Sequence, residues 1–453
     1  MTERPNVIVV FTDQQRADTT GVAGNPVDLT PNFDRMANRG THLAQACTSN
    51  PVCAPARSAL QTGCYPTTNQ VHRNGLVLDA GQRTLAHDFA DAGYHTGYIG
   101  KWHLASGDPV PEPERGGYAE WLGANTLEFT SDEYHTVMYD EDGRPVRLPG
   151  YRSDSCFDAA IRFVQRSADS DTPFYLFLSL LEPHHQNEVD SYPAPEGYEQ
   201  RYAGAWMPPD LAALSAAGLG TAYRHMPGYL GQIKRVDEGF GRLRDALYSL
   251  GLSERTIVAY TSDHGNHFKT RNAEYKRSCH DASIRVPFAV CGPGFDGGGT
   301  VDRPISTVDL APTLLDAAGL PGAERMQGRS FLPLLHGEPS GAPRDVLVQV
   351  SEHECGRVLR TDRWKYYVVD PDADPWHDPV GDSYREAALY DLRYDPYELD
   401  NLVGSAAHRT VADQLAQRLR QRLIEIGETP TITPAPPGSA NARRQDPTVH
   451  EIW

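Results

Sequence analysis

The chain has 453 residues, long enough for one large core and a smaller second unit, and its composition is that of an ordinary globular protein. Against 42 basic residues stand 60 acidic ones, a net charge of −18, which argues against nucleic-acid binding through bulk charge. No stretch reaches membrane-spanning length, and seven cysteines without tight spacing read as thiols rather than a disulfide framework.

Asn6 to Phe11 is a β-branched apolar run, as expected of a parallel strand buried on both faces. It is too short for the apolar region of a leader, and Met1 to Asn6 is polar, so the expected compartment is the cytoplasm. The run ends at Asp13 and Gln14. A carboxylate at that end of a strand stands where open α/β sheets place their sites, although aspartates there also cap turns. Thr30 to Ala37 reads as a capped helix ended by Gly40, and Thr41 to Thr48 as a second strand. That strand leads to Asn50-Pro51-Val52-Cys53-Ala54-Pro55-Ala56-Arg57 and on to Gly63. Pro51 disfavours helix at Asn50, Pro55 suits a first helical turn, and Gly63 suits a stop. Cys53 is therefore expected at the positive end of a short helix, where backbone N–H groups lower a thiol pKa and hold an anion. Arg57 follows one turn later on the same side.

Thr84 to Ala92 reads as an amphipathic helix stopped at Gly93, and Tyr94 to Ile99 as a strand that runs into Gly100-Lys101-Trp102-His103-Leu104. In extended chain Lys101 and His103 face one side. Gly107 to Gly150 is rich in proline, glycine and acidic residues and reads as a long insertion over the sheet edge. Phe174 to Leu180 is a further buried strand that delivers Glu182-Pro183-His184-His185, followed by a proline- and tyrosine-rich loop, Ser191 to Pro209. Tyr229 to Leu250 reads as one long helix. Thr256 to Tyr260 is another central strand, ending in Thr261-Ser262-Asp263-His264-Gly265. From about Arg344 short strand candidates crowd together: Val346 to Val350, Gly356 to Arg360, Trp364 to Val369 and Ala388 to Asp391. Val411 to Ile426 is a helix expected to cover that small sheet, and Thr429 to Trp453 an extended arm suited to wrapping a second copy of the chain. Carboxylates and imidazoles at strand ends, a cysteine at a helix start, and scattered lysine and arginine fit metal-assisted hydrolysis of an anionic ester.

The segments Cys53-Ala54-Pro55-Ala56-Arg57, Ser58 to Pro66, Gly100 to Leu104, Pro183-His184 and Ser283-Ile284-Arg285-Val286-Pro287 together resemble the type I, formylglycine-dependent sulfatases of the alkaline phosphatase superfamily. Thr30 to Ala37 and Leu389 to Leu402 are similar to structural segments of the same family. The resemblance implies an α/β fold: a large mixed, mostly parallel sheet sandwiched by helices, with a smaller C-terminal antiparallel-sheet subdomain plus helix. It implies that a maturase oxidises Cys53 to formylglycine (3-oxoalanine). It implies that Asp13, Gln14, Asp263 and His264 bind a metal. Three oxygens and one nitrogen suit a hard divalent cation, Ca2+ first, with Mg2+ or Mn2+ as alternatives. One hydroxyl of the hydrated aldehyde then attacks sulfur. Lys101 and Lys276 stabilise the sulfuryl oxygens, His184 protonates the leaving oxygen, His103 takes the proton of the second hydroxyl, and Arg57 holds residue 53.

Four positions depart from the common family pattern. Gln14 stands where many members carry a second aspartate, His280-Asp281 replaces Tyr-Glu after Lys276, and His185 is an extra imidazole, as well read as a surface histidine as a substrate contact. The expected division is 1–343 as catalytic domain, 344–428 as C-terminal subdomain and 429–453 as tail. The expected substrate is a small-molecule or oligosaccharide sulfate ester, a carbohydrate sulfate above all, with aryl sulfates as surrogates and neither nucleic acid nor membrane as partner. Two alternatives stand beside it: a phosphonate monoester or phosphodiester hydrolase with the same nucleophile, and an inactive metal- and glycan-binding homologue.

Overall fold

The structure, a computed structural model, describes residues 4–322, 324–337 and 343–438. Fifteen strands form two sheets among these residues. Those of the large sheet are β1 (Asn6–Thr12), β2 (Thr41–Cys47), β3 (His95–Lys101), β4 (Glu120–Ala124), β5 (Thr136–Tyr139), β6 (Pro145–Leu148), β7 (Phe174–Ser179), β8 (Thr256–Ser262), β9 (Phe288–Cys291) and β10 (Gly299–Ser306). Their order is β10-β2-β9-β8-β1-β7-β3-β4-β5-β6. The run β8-β1-β7-β3-β4 is parallel throughout, as is β10 on β2, while β9 and the edge strands β5 and β6 pair antiparallel.

Strand β1 shows why this sheet is central. Val7, Val9 and Phe11 face one core with Leu60, Tyr98, Trp121 and Leu314, whereas Ile8 and Val10 face the other with Phe157, Phe163, Val236 and Phe240. Both faces are covered by helices: Cys53–Thr62, Leu85–Asp91 and Leu310–Ala317 on the first, Pro31–Arg39, Arg152–Ser167 and Ala222–Ser249 on the second. Two-sided burial explains the uninterrupted apolar runs, since each such side chain contributes about 1.5–3 kcal/mol when fully buried. Parallel register then aligns the strand ends. Phe11 pairs with Ser179, Thr12 with Ser262, and Gly100 with Ser179, so the chain leaves β1, β3, β7 and β8 at one edge of the sheet. Gly100 is required there: its φ is 109°, and a Cβ would fall on the Ser179 carbonyl oxygen.

The 107–150 segment differs from the expected loop. It extends the sheet by β4, β5 and β6, strands of only four or five residues with one side open to solvent. Strands this short carry too little alternation to stand out among prolines and glycines.

The second sheet orders as β11 (Asp345–Val350), β12 (Cys355–Thr361), β13 (Trp364–Asp370), β14 (Ser383–Asp391) and β15 (Thr431–Thr433), with helix Arg409–Glu425 against it. The first four pair antiparallel, as expected, but β15 adds in parallel. The start of the expected arm is thus a strand of this sheet, and the arm from 439 onward lies outside the described residues. All seven cysteines are free thiols, and no helix among the described residues is long and apolar enough to cross a membrane.

Candidate active site

Val52 is extended (φ −139°, ψ 140°) and the helix begins at Cys53, with Pro55 in its first turn and Gly63 at φ 69° after its end. Cys53 therefore lies at the helix N-terminus, 1% exposed, pointing at the strand ends described above. The Ala54 N–H beside it donates to Asn74 Oδ1 at 3.0 Å. One turn on, the Arg57 guanidinium is buried and spans four acceptors: Asp13 Oδ2 (2.9 Å), Asp263 Oδ2 (3.3 Å), the Lys101 carbonyl (2.9 Å) and Ser179 Oγ (2.7 Å). Only the planar fork of arginine reaches all of these at once.

The opposite edges of the same two carboxylates turn toward Cys53. Asp13 Oδ1 lies 3.7 Å from Cys53 Sγ and 3.7 Å from His264 Nε2, and Asp263 Oδ1 lies 3.5 Å from that nitrogen. His264 Nδ1 donates to the Gly265 carbonyl at 2.9 Å, which leaves the Nε2 lone pair facing inward, 3.3 Å from Cys53 Sγ. One ligand atom each from Asp13, Cys53, Asp263 and His264 lies within 4.8 Å of all the others, and all four residues are buried. Two carboxylate oxygens and an imidazole nitrogen around a buried point fit a hard divalent cation, with residue 53 as a further ligand.

Gln14 stands beside this group. At φ 67° its backbone N–H donates to Asp263 Oδ1 (2.9 Å), while its Oε1 faces the backbone N and ring Nδ1 of His185, each at 3.3 Å. Its carboxamide oxygen thus faces His185. Its Nε2 is buried without a partner among the described residues. His185 is half-buried, stacked on His184 and Tyr275, and not a free surface histidine. Burial, with the neighbouring His184 and Lys276, pushes its pKa far below the usual imidazole range.

Cations surround the group. Lys276 Nζ lies 2.8 Å from Cys53 Sγ, 3.0 Å from His264 Nε2 and 3.4 Å from His184 Nε2. His184 Nδ1 lies 2.6 Å from the His185 carbonyl, so it donates there and leaves Nε2 toward the site. Lys101 closes β3, fully buried between Asp13 Oδ2 and Glu128 Oε1, each at 2.9 Å. His103 also contacts Cys53, but by another route than extended alternation: the strand ends at Lys101, and His103 turns inward at φ 62°. Burial disfavours the Cys53 thiolate, yet Lys276, Lys101 and His264 outweigh it and hold the thiol well below its usual range. Burial likewise opposes ionised Asp13, and Lys101, His184 and Arg57 reverse the balance. For Asp263 the burial and the nearby Asp13 charge prevail, and its carboxyl is raised.

With this geometry, comparison with known proteins decides the family. The sulfatase family model matches residues 5–320, and the C-terminal model of N-sulphoglucosamine sulphohydrolase matches 273–425. The chain belongs to the sulfatase family. Sulfatases hydrolyse sulfuric esters, and this chain is such a hydrolase. It is 30% identical to an ulvan-active sulfatase of Formosa agariphila over 442 residues, covering 94% of this chain and 82% of that protein. To an N-acetylglucosamine-6-O-sulfatase of Bacteroides thetaiotaomicron it is 26% identical, covering 93% and 86%. Among solved structures, one bound to its substrate D-glucosamine-2-N,6-O-disulfate superposes with a TM-score of 0.76 at 24% identity, covering 93% of this chain and 98% of that one. The phosphonate monoester hydrolase of Agrobacterium radiobacter shares the fold, with a TM-score of 0.71 at 23% identity over 93% and 96% of the two chains.

Cys53, Arg57, Lys101, His103, His184, Lys276, Asp13, Asp263 and His264 thus meet in one buried site of this sulfatase, with His185 at its wall. Sequence reasoning missed three residues that hold it. Glu128 pairs with Lys101 from the segment read as a loop. Asn74 accepts from the helix start at Ala54. Glu352, which follows β11, accepts from Asn74 N (2.6 Å) and pairs with Arg277 (2.6 Å), the neighbour of Lys276. Single polar residues in irregular segments, or in a helix as short as Leu127–Thr130, leave no pattern by which to find them.

Proposed function

We propose that this sulfatase releases sulfate from a sulfated carbohydrate, with residue 53 matured from cysteine to formylglycine by a maturase and a divalent cation, Ca2+ first, held by Asp13, Gln14, Asp263, His264 and residue 53. The observation that carries this reading is the convergence of Lys276, His264, His103 and Asp13 on the residue-53 side chain at a helix N-terminus. Relatives named as an ulvan-active sulfatase and an N-acetylglucosamine-6-O-sulfatase support the carbohydrate class.

A bound cation would supply Lewis acidity beside residue 53. The aldehyde hydrate would supply a hydroxyl nucleophile on a carbon that can release sulfate again. The chain's own groups do the rest. Lys101 and Lys276 present ammonium charge to the sulfuryl oxygens inside a buried, preorganised site. The His185 carbonyl holds the Nδ1 proton of His184, so Nε2 faces the leaving oxygen and gives it a proton from the imidazolium form. His103 is the proton acceptor at residue 53. Arg57 fixes the inner edges of Asp13 and Asp263, which leaves their outer edges for the cation.

The test is the mass of the tryptic peptide containing residue 53, from protein made beside a maturase, together with rates on an aryl sulfate and an aryl phosphonate. An aldehyde mass and faster sulfate turnover are expected, and Cys53→Ala should abolish turnover while leaving the fold intact. An unmodified thiol in active enzyme would overturn the nucleophile, and faster phosphonate turnover would overturn the substrate.

A further inference from the structure

A cavity of about 570 Å3 adjoins the site and has no part in the steps above. Glu128, Phe129, Asp132, Tyr134, Arg147 and Glu188 give it its character. It meets the active site through one residue. Glu128 lines the cavity, and its Oε1 holds Lys101. Its Oε2 has no hydrogen-bond partner among the described residues, although the side chain is only 4% exposed. A buried carboxylate oxygen without a donor is costly, and a ligand donor would satisfy it. Gln186, two residues past His184, fixes the shared wall by donating Nε2 to the Glu128 carbonyl at 2.9 Å.

Two exposed aromatic rings stand among exposed polar residues in its lining. Phe129 is 61% exposed and Tyr134 45%. Apolar rings grouped at the rim of a concave site mark a ligand surface, and the volume falls within the roughly 300–1,000 Å3 of ligand pockets. The charge sets the kind of ligand. Among the described lining residues, Asp132 and Glu188 stand against a single arginine, Arg147, while Glu128 is paired with Lys101 and His135 is engaged by Asp132 at 2.9 Å. Further sulfates or carboxylates on a polyanionic glycan would meet like charge here. Sugar hydroxyls would instead donate to the carboxylates, and sugar C–H faces would pack on Phe129 and Tyr134.

We propose that this cavity binds uncharged, hydroxyl-rich sugar units flanking the sulfated one, so that the substrate is a sparsely sulfated neutral glycan and not a polysulfated or uronate-rich one. The inference rests on the carbohydrate-sulfatase reading of the site. Its test separates the two. Matured wild type, Phe129→Ala and Glu188→Gln are assayed on p-nitrophenyl sulfate, a monosulfated neutral tetrasaccharide and a polysulfated uronate-containing tetrasaccharide. Wild type is expected to favour the neutral tetrasaccharide in kcat/KM. Each variant should lose about tenfold on it, the equivalent of one stacking or charged hydrogen-bond contact, while keeping the aryl sulfate rate within about twofold. Unchanged tetrasaccharide rates in both variants, or a wild-type preference for the polysulfated one, would overturn the proposal. Failure on p-nitrophenyl sulfate would count against the sulfatase mechanism instead. Calorimetry with the unsulfated neutral tetrasaccharide then reads the cavity without turnover: binding that Phe129→Ala abolishes supports the proposal, and no binding to wild type overturns it.

Discussion

Lys101 is buried between Asp13 and Glu128, and the arrangement is stable only because each charge has a partner. Burial alone would raise the Glu128 carboxyl, but Lys101, His103 and His184 bring it down to about 2 from its usual 4.5. Since the folded value lies below the unfolded one, the ionised carboxylate contributes stability in full above pH 4.5 and loses it as pH falls toward 2. The contribution is on the order of 3 kcal/mol. Glu128→Gln should therefore be less stable than wild type by roughly that amount at neutral pH, and the gap should close on acidification below about pH 4.5. Urea unfolding of both proteins across the acid range checks this, and a gap that stays constant down to about pH 3 would contradict it.

Between elements, glycine packing and one carboxylate clamp decide the geometry. Gly239 lies inside helix Ala222–Ser249 where a Cβ would come within 2.6 Å of Phe157 Cε2, on helix Arg152–Ser167. Alanine gains about 1 kcal/mol in helix propensity. Overpacking against a fully buried ring costs about 1–3 kcal/mol, so Gly239→Ala should lower the melting temperature despite its better propensity. A raised melting temperature would show that the two helices can move apart. Glu352 stands at φ 66° after β11 and joins Asn74, which accepts from the Cys53 helix, to Arg277, which adjoins Lys276. Glu352→Gln weakens the Arg277 side of that clamp. The expected result is a fall in kcat of about tenfold with the chain still folded, as is usual when a group that orients the reacting residues is removed. Full activity would mean that the clamp does not position Lys276.

For the molecule as a whole, the C-terminal sheet is part of the site's support. Val346, Val348, Val358 and Tyr367 pack on Cys47, Cys279 and Ile284 of the large unit. Beside this seam Asp281 accepts from Arg360 Nε and Nη2, each at 3.1 Å, and from Lys365 Nζ at 2.5 Å, while Lys365 also pairs with Glu398. Asp281 lies five residues after Lys276, so these buried pairs tie the C-terminal sheet to the segment that carries Lys276. Lys365→Met leaves Asp281 and Glu398 with less compensation. Breaking a buried pair costs about 3–5 kcal/mol, and chemical denaturation should show a loss of that order together with reduced activity. A variant as stable as wild type would mean that the remaining arginines, Arg360 and Arg285 beside Asp281 and Arg271 beside Glu398, compensate both carboxylates.

Local sequence was enough to locate the strand ends that deliver Asp13, His184 and Asp263-His264, and the helix start that carries Cys53 and Arg57. Apolar runs long enough to be buried on both faces mark the strands, and prolines and glycines fix where the helix begins and stops. How those ends combine was settled by tertiary packing alone. The parallel register of β1, β3, β7 and β8 sets Lys276 on Cys53, Lys101 on Glu128 and the Gln14 carboxamide on His185. Packing also turned the 107–150 segment into sheet and placed β15 in parallel beside β14. The reason is physical. Pairing between buried charges and register between distant strands depend on groups far apart in the chain, and no local pattern encodes which of them will meet.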